Sequence, residues 1–314
     1  MPAGRFAPSP SGRMHLGNMM SALLAWLSAR HDGLEFKLRL EDLDGRCRSA
    51  EAARLIIDDL RWMGLDFDGK PERQSAHPAR FEEAFSRLQE AGLLYPCYCS
   101  RADLHAASAP HAADGAPVYA GTCRGLDEAS RARKEEELRA RTGHGPAWRI
   151  RVPCEHMEFR DGRLGRVEHE LSRETGDFVV RRSDGVFAYQ LAVVVDDAAA
   201  GVVQVVRGED LAPSTARQIW LQRLLGYPTP AYFHHLLLVD GQGRRLSKRD
   251  RDLEMGYVRE HLEGGAEALV GWLAYWAGLR DAPVPAAASD LVDAFSWDDV
   301  AAGPRAVDAF PLST

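Results

Sequence analysis

The sequence predicts an α/β fold, a doubly wound parallel sheet carrying one small insertion and a largely helical C-terminal part. Three observations predict it. Short β-like runs alternate with helical periods through the first 96 residues. A short cysteine-bearing stretch then breaks the pattern, and the helical period dominates again after residue 258. Taken in order, a short run at Gly4–Ala7 breaks at Pro8 and Pro10, turns at Gly12 and enters a helix after His15. Met19, Met20, Leu23, Leu24 and Leu27 recur along that helix at amphipathic spacing. Phe36, Leu38 and Leu40 alternate with Lys37 and Arg39, a strand ending at Glu41-Asp42. A helix from about Ser49 closes near Gly64, with Leu55, Ile56, Ile57, Leu60 and Met63 inward, and another runs from about Ala79 to Ala91 with Gly92 as its stop. In such sheets ligands bind beyond the carboxyl ends of the strands, where Glu41 and the turn before His15 fall.

Residues 97–123 are short, rich in Ala, Pro and His, and hold three of the five cysteines. A charged helix follows over about Asp127–Arg141, then β-like runs at Trp148–Val152, Phe178–Arg181 and Val202–Val206. Ala188–Ala192 read as helical or turn-like before an apolar run at Val193–Asp197. Ala212–Leu225 is a helix ended by Gly226 and Pro228, Leu236–Val239 feeds an Arg-rich loop, and Val258–Trp276 is helical. The expected divisions are 1–96 and 125–240 for the two halves of the core, 97–124 for the insertion, 241–280 for the loop and its helices, and 281–314 for a loosely structured tail.

With 314 residues and 45% hydrophobic content, the chain can bury a substantial core. No stretch is long and apolar enough to cross a bilayer, and no signal peptide precedes the first strand, so a cytoplasmic protein is expected. The net charge of −7 argues against a protein that coats nucleic acid with a uniformly basic surface, while clustered arginines allow a confined basic track. The odd number of cysteines fits reduced thiols rather than a disulfide framework. No exposed apolar repeat calls for obligate assembly, so a monomer is expected.

Two segments are built to hold phosphate. The helix after His15 offers unpaired N–H groups and a positive dipole end, with Gly17 allowing close approach and His15 and Asn18 supplying neutral donors. Far downstream, Asp240-Gly241-Gln242-Gly243 forms a turn presenting Arg244, Arg245, Lys248 and Arg249, a cationic clamp of the kind a departing pyrophosphate needs. For a small amino acid, Glu41 suits an ammonium group. Arg5 and Arg207 suit carboxylates, and Tyr189 adds a hydroxyl. Two arginines in one pocket favour a dicarboxylic substrate. Read alone, Glu41 and Arg207 could equally be surface charges at strand ends.

These motifs together resemble the class I aminoacyl-tRNA synthetases of the glutamyl group. His15-Leu16-Gly17-Asn18 stands where that class carries His-Ile-Gly-His, and Leu246-Ser247-Lys248 where it carries Lys-Met-Ser-Lys-Ser. Phe6-Ala7-Pro8-Ser9-Pro10-Ser11-Gly12, Leu40-Glu41-Asp42 and Arg207-Gly208-Glu209-Asp210 are similar to the glutamyl-specific versions. The resemblance implies a Rossmann-like core, an ATP site at His15, Gly17, Asn18, Leu246, Ser247 and Lys248, and glutamate contacts at Arg5, Phe6, Ala7, Pro8, Ser9, Glu41, Tyr189 and Arg207. It implies catalytic roles for His15 near the scission point and Lys248 at the departing phosphates, with Mg²⁺ sharing the charge. Asn18, Leu246 and Arg249 depart from the class pattern, yet Asn and Arg still donate to phosphate.

Cys97, Cys99 and Cys123, with Tyr119, look like the zinc-bearing insertion of short glutamyl-synthetase relatives. The resemblance makes Tyr119 the fourth ligand to one structural Zn²⁺; on chemical grounds His105, His111 or Cys154 would be more usual. Only about 65 residues follow the Lys-Ser loop. This short C-terminal part resembles the glutamyl-queuosine tRNA(Asp) synthetases, which keep the catalytic core and drop the anticodon-reading region. That family esterifies activated glutamate to queuosine in the tRNA(Asp) anticodon. A truncated synthetase charging the 3′ end of tRNA(Glu) and a non-catalytic tRNA-binding relative are the alternatives.

Overall fold

The computed structural model describes residues 1–100, 103, 118–244, 246, 253–307 and 310–312. Its first strand, β1 (Ala3–Phe6), lies between β2 (Glu35–Leu40) and β9 (Val202–Gly208), all parallel. The sheet has seven strands in the order β3-β2-β1-β9-β10-β6-β7, where β3 is Glu72–Arg73, β10 is Ala231–His235, and β6 (His156–Asp161) and β7 (Gly165–Glu170) form an antiparallel hairpin at one edge. A separate antiparallel sheet joins β4 (Leu94–Cys97), β5 (Ala147–Ile150) and β8 (Phe178–Arg181).

Helix α1 (Leu16–His31) connects β1 to β2, as the right-handed crossover of parallel strands requires. It is apolar on nearly every side, with Leu16, Met19, Met20, Ala22, Leu23, Leu24 and Leu27 fully buried. The amphipathic reading fails here because the C-terminal part covers the helix's outer side. The Trp297 indole donates to Ser28 Oγ at 2.9 Å, and Phe295, Val300 and Val307 join the same core. Gly4 of β1 lies against this helix; a Cβ there would come within 2.9 Å of the Ala29 methyl.

Helices α2 (Ala50–Trp62) and α3 (Pro78–Glu90) follow the expected spans, α2 being capped by the Ser49 hydroxyl. On α2, Leu55 and Ile57 are only half-buried, while the acidic Asp59 is fully buried. The charged helix α4 (Glu128–Thr142) is capped by Asp127 and ends at Gly143, and buries only Leu138.

One open stretch gains an element and two expectations are corrected. Val193–Asp197 continues the preceding turn as one helix, α5 (Tyr189–Ala199), with Val193, Val194 and Val195 buried. Burial against the sheet outweighs the β-preference of three consecutive valines. The helix expected from Ala212 starts as a 3₁₀ segment over Glu209–Ser214 and becomes α6 only at Thr215–Leu225, because Pro213 removes a donor. Residues 281–307 do not form a loose tail. β12 (Arg305–Ala306) pairs with β11 (Leu238–Val239), and Trp297 stacks on Phe233 with centroids 4.7 Å apart. Helices α7 (Met255–His261) and α8 (Gly265–Ala277) divide the expected helical stretch at Gly264-Gly265.

Candidate active site

A cavity of about 530 Å³ opens at the carboxyl ends of β1, β2, β9 and β10. It brings together Arg5, Phe6, Ala7, Pro8, Ser9, His15, Gly17, Asn18, Glu41, Tyr189, Arg207 and Leu246, residues up to 241 positions apart in sequence. Ser247 and Lys248 lie outside the described residues, as do His105, His111, Arg245 and Arg249.

One wall is the start of α1. His15 is its N-cap, extended in backbone, and its Nδ1 accepts from Gly17 N at 3.1 Å. An accepting Nδ1 on a neutral ring puts the proton on Nε2, so that nitrogen is a donor. Asn18 Oδ1 accepts from His15 N at 3.1 Å and closes the capping box. This gives Asn18 a structural task as well as the donor role read from the sequence. A Cβ on Gly17 would sit 3.0 Å from His15 Cε1. A side chain at this position would press on the histidine ring that caps the helix, which would have to shift by a few tenths of an ångström.

The opposite wall is charged and largely buried. Arg5 Nε lies 3.4 Å from Asp197 Oδ1, and its Nη1 donates to the Val206 carbonyl at 3.3 Å. Arg39 donates to Asp197 at 2.5 Å and to Glu41 at 3.3 Å. Glu41, Arg39, Asp197 and Arg5 thus form a continuous chain of alternating charge beneath the cavity floor. Burial pushes the Glu41 carboxyl above the usual range, against the opposing pull of Arg39 and Arg5. Burial acts the same way on Asp197, but Arg39 and Arg5 overcome it and hold that carboxyl low.

Arg207 is 5% exposed, which excludes a surface charge. Its Nε donates to His234 Nε2 at 3.0 Å, its Nη1 to Gln218 Oε1 at 2.8 Å and its Nη2 to Thr215 Oγ1 at 2.8 Å. His234 Nδ1 in turn donates to Asp161 at 2.6 Å, so burial and Arg207 favour the neutral ring with its proton toward the carboxylate. Of the five guanidinium N–H groups, three are used by these neighbours. One N–H on each terminal nitrogen is left for a carboxylate. Tyr189, at the start of α5, is 38% exposed and stands at the cavity rim.

The sequence reading did not find Arg13, Ser21, Arg39, Asp161, Asp197, His234 or His235. His235 lines the cavity, donates from Nδ1 to the Leu236 carbonyl at 2.7 Å and meets Ser21 Oγ at 2.9 Å. Burial pushes it down to about 4, so it is neutral at physiological pH. The paired His234-His235 at a strand end was the one local signal available.

Away from the cavity, the Cys97, Cys99 and Cys123 sulfurs lie within 4.8 Å of one another, with Cys99 and Cys123 at 3.7 Å. Tyr119 Oη is 3.6 Å from Cys97 Sγ and 3.7 Å from Cys99 Sγ. A metal with bonds of about 2.3 Å to sulfur in a tetrahedron separates its ligands by roughly 3.7 Å. The donor set and spacing therefore fit Zn²⁺. The Arg149 guanidinium lies 3.9 Å from the centre of the Tyr119 ring, and its Nε reaches Cys97 Sγ at 3.3 Å, a position that favours thiolate. Cys154 is exposed and Cys47 half-buried.

Residues 3–269 match the model of the class I tRNA synthetases (E and Q), catalytic domain. The glutamyl-Q tRNA(Asp) synthetase of Symbiobacterium thermophilum is 45% identical over 326 aligned residues, covering all of this chain and 97% of that protein. The protein of the same name from Nitratidesulfovibrio vulgaris is 45% identical over 93% of this chain and 91% of its own. The crystal structure of the glutamate-tRNA synthetase of Elizabethkingia anophelis superposes with a TM-score of 0.80 at 24% identity, covering 98% of this chain and 68% of that one, a likeness of fold. With the family model spanning the cavity and relatives of near-equal length, this chain belongs to the class I (E and Q) tRNA synthetases, in the glutamyl-Q tRNA(Asp) synthetase family.

Proposed function

We propose that this enzyme activates L-glutamate with ATP and transfers it to queuosine in the anticodon of tRNA(Asp). The observation that carries the activation step is the single cavity lined at one end by the His15-Leu16-Gly17-Asn18 cap and at the other by Arg5, Glu41 and Arg207. Glu41 receives the ammonium group, the N–H groups left on Arg5 and Arg207 receive the carboxylates, and Tyr189 closes the rim. Phe6, Ala7, Pro8 and Ser9 shape the wall beside them. The glutamate α-carboxylate attacks the α-phosphorus of ATP, the bond to the bridging oxygen breaks, and pyrophosphate leaves. No protein nucleophile takes part; the residues align the reactants and stabilise charge on the phosphates. His15 Nε2–H serves the phosphate near the scission point and the Asn18 side-chain amide the chain beside it; the Gly17 N–H is taken by His15 Nδ1, so Gly17 only leaves room, Leu246 lines the wall, and Ser247 and Lys248 serve the departing end. Mg²⁺ bound with ATP neutralises phosphate charge. Support for queuosine as acceptor comes from relatives of near-equal length that bear that name.

The same reading assigns one structural Zn²⁺ to Cys97, Cys99, Tyr119 and Cys123 within an insertion over 97–124, and a cytoplasmic monomer as the working form. Glutamate-dependent ATP–pyrophosphate exchange tests the activation step. Lys248→Ala should lower that exchange far more than it lowers glutamate binding. Exchange near the wild-type rate in this variant would remove Lys248 from the mechanism.

A further inference from the structure

Helix α2 does not line the cavity, yet it carries a fully buried aspartate that reaches the turn before α1 and helix α7. Asp59 accepts from Arg13 Nε at 3.3 Å and Nη2 at 3.0 Å, and from Arg259 Nη1 at 2.8 Å. Arg13 belongs to the turn that leads into His15 and itself lines the cavity. Arg259 belongs to α7, the first α-helix after the Lys-Ser segment among the described residues. The two segments also meet through the backbone. Met255 N donates to the Met14 carbonyl at 2.9 Å, and His15 pairs with Glu254 in an isolated antiparallel bridge. Gly256 admits this approach, since a Cβ there would stand 2.9 Å from Arg13 Nη1. On the far side, the Arg259 guanidinium lies 5.1 Å from the centre of the Trp62 ring of α2.

Stability alone is a poor reason for such a cluster, because apolar side chains of equal volume commonly do as well as a buried ion pair. What one carboxylate shared by two guanidiniums supplies is direction. It fixes three chain segments at set angles in a way that interchangeable apolar contacts do not. We propose that Asp59 is a positioning residue that clamps the turn before α1 to helix α7 through Arg13 and Arg259, holding the helix-cap half of the nucleotide site in place against the start of α7. Met255, whose amide closes the contact to the turn, lies seven residues after Lys248 in the sequence. The proposal rests on the reading of the cavity as an ATP site.

Two variants test it. Arg259→Met leaves Asp59 paired with Arg13, and Asp59→Asn preserves shape while removing the charge. Amide hydrogen exchange reads the clamp without reference to activity. The Met255 amide should exchange about tenfold faster or more in both variants, with the interior amides of α1 unchanged. In pyrophosphate exchange, kcat should fall about tenfold or more while the KM for glutamate stays within about twofold, and Arg259→Lys should recover part of the loss. A folded pair of variants with wild-type Met255 protection, or with kcat within about twofold of wild type, would overturn the proposal. Wild-type protein without glutamate-dependent exchange would instead refute the reading of the site, and the Met255 amide would still decide the clamp.

Discussion

Replacing Arg207 by lysine keeps a positive charge in the cavity and removes the fork. Three of the five N–H groups hold Gln218, Thr215 and His234, and the pair left over is what a substrate carboxylate would meet. A lysine ammonium offers one point of contact, so one charge-assisted hydrogen bond to the substrate is lost, about 1.5–3 kcal/mol. At roughly 1.4 kcal/mol per factor of ten, kcat/KM for glutamate should fall about 10- to 150-fold. The protein side suffers less. Thr215 Oγ1 and His234 Nε2 lie 3.2 Å apart and can bond to each other, which leaves Gln218 Oε1 as the orphaned acceptor. That costs about 1–3 kcal/mol of stability, seen as a modest fall in melting temperature. Pyrophosphate exchange with glutamate and ATP varied separately is the assay. The KM for ATP should stay within about twofold, since the arginine does not serve the phosphates. A kcat/KM for glutamate within about threefold of wild type would refute the fork.

Three other outcomes follow from the same geometry. Gly17→Ala places a methyl 3.0 Å from the His15 ring and displaces it from its capping position; exchange should fall about tenfold or more, and an unchanged kcat would show that His15 has no need of its observed position. Purified protein should carry about one zinc per chain by elemental analysis, lost in Cys99→Ser together with several degrees of melting temperature; equal zinc in the variant would discount the cysteine cluster. His235 makes the fold acid-sensitive. Its unfolded form takes a proton below about pH 6.5, whereas the buried ring resists until about 4. Its contribution is therefore complete above pH 6.5 and fades as pH falls toward 4, by up to about 3 kcal/mol. Chemical denaturation across that range should show a slope about one proton shallower in His235→Asn, and identical slopes would contradict the assignment.

The first strand, β2 and the two helices after it are legible because hydrophobic period and caps agree there, Ser49 and Gly92 bracketing what lies between; α1 is legible as a helix, but its burial on all sides is not. Val193–Asp197 carries no element of its own in the sequence, because β-branched residues prefer strands only weakly; burial in the core decides for helix. The C-terminal segment looked loose because Pro and Ala set no period, and its order comes from Trp297, Phe295 and Val307 landing on distant α1 and β11. In the site, residues embedded in contiguous motifs were readable, whereas Arg39, Asp59, Asp161 and Asp197 were not. Each has a partner far along the chain, 158 positions away in the case of Arg39 and Asp197, and no local pattern announces such a pair. His234 went unseen for the same reason, its aspartate being 73 positions away.

Transfer of labelled glutamate to purified tRNA(Asp), with and without queuosine, tests the central claim most directly. The account predicts that label enters only the queuosine-bearing tRNA, in the anticodon arm, and requires both ATP and glutamate. Label on unmodified transcript, or at the 3′ end of tRNA(Glu), would contradict it.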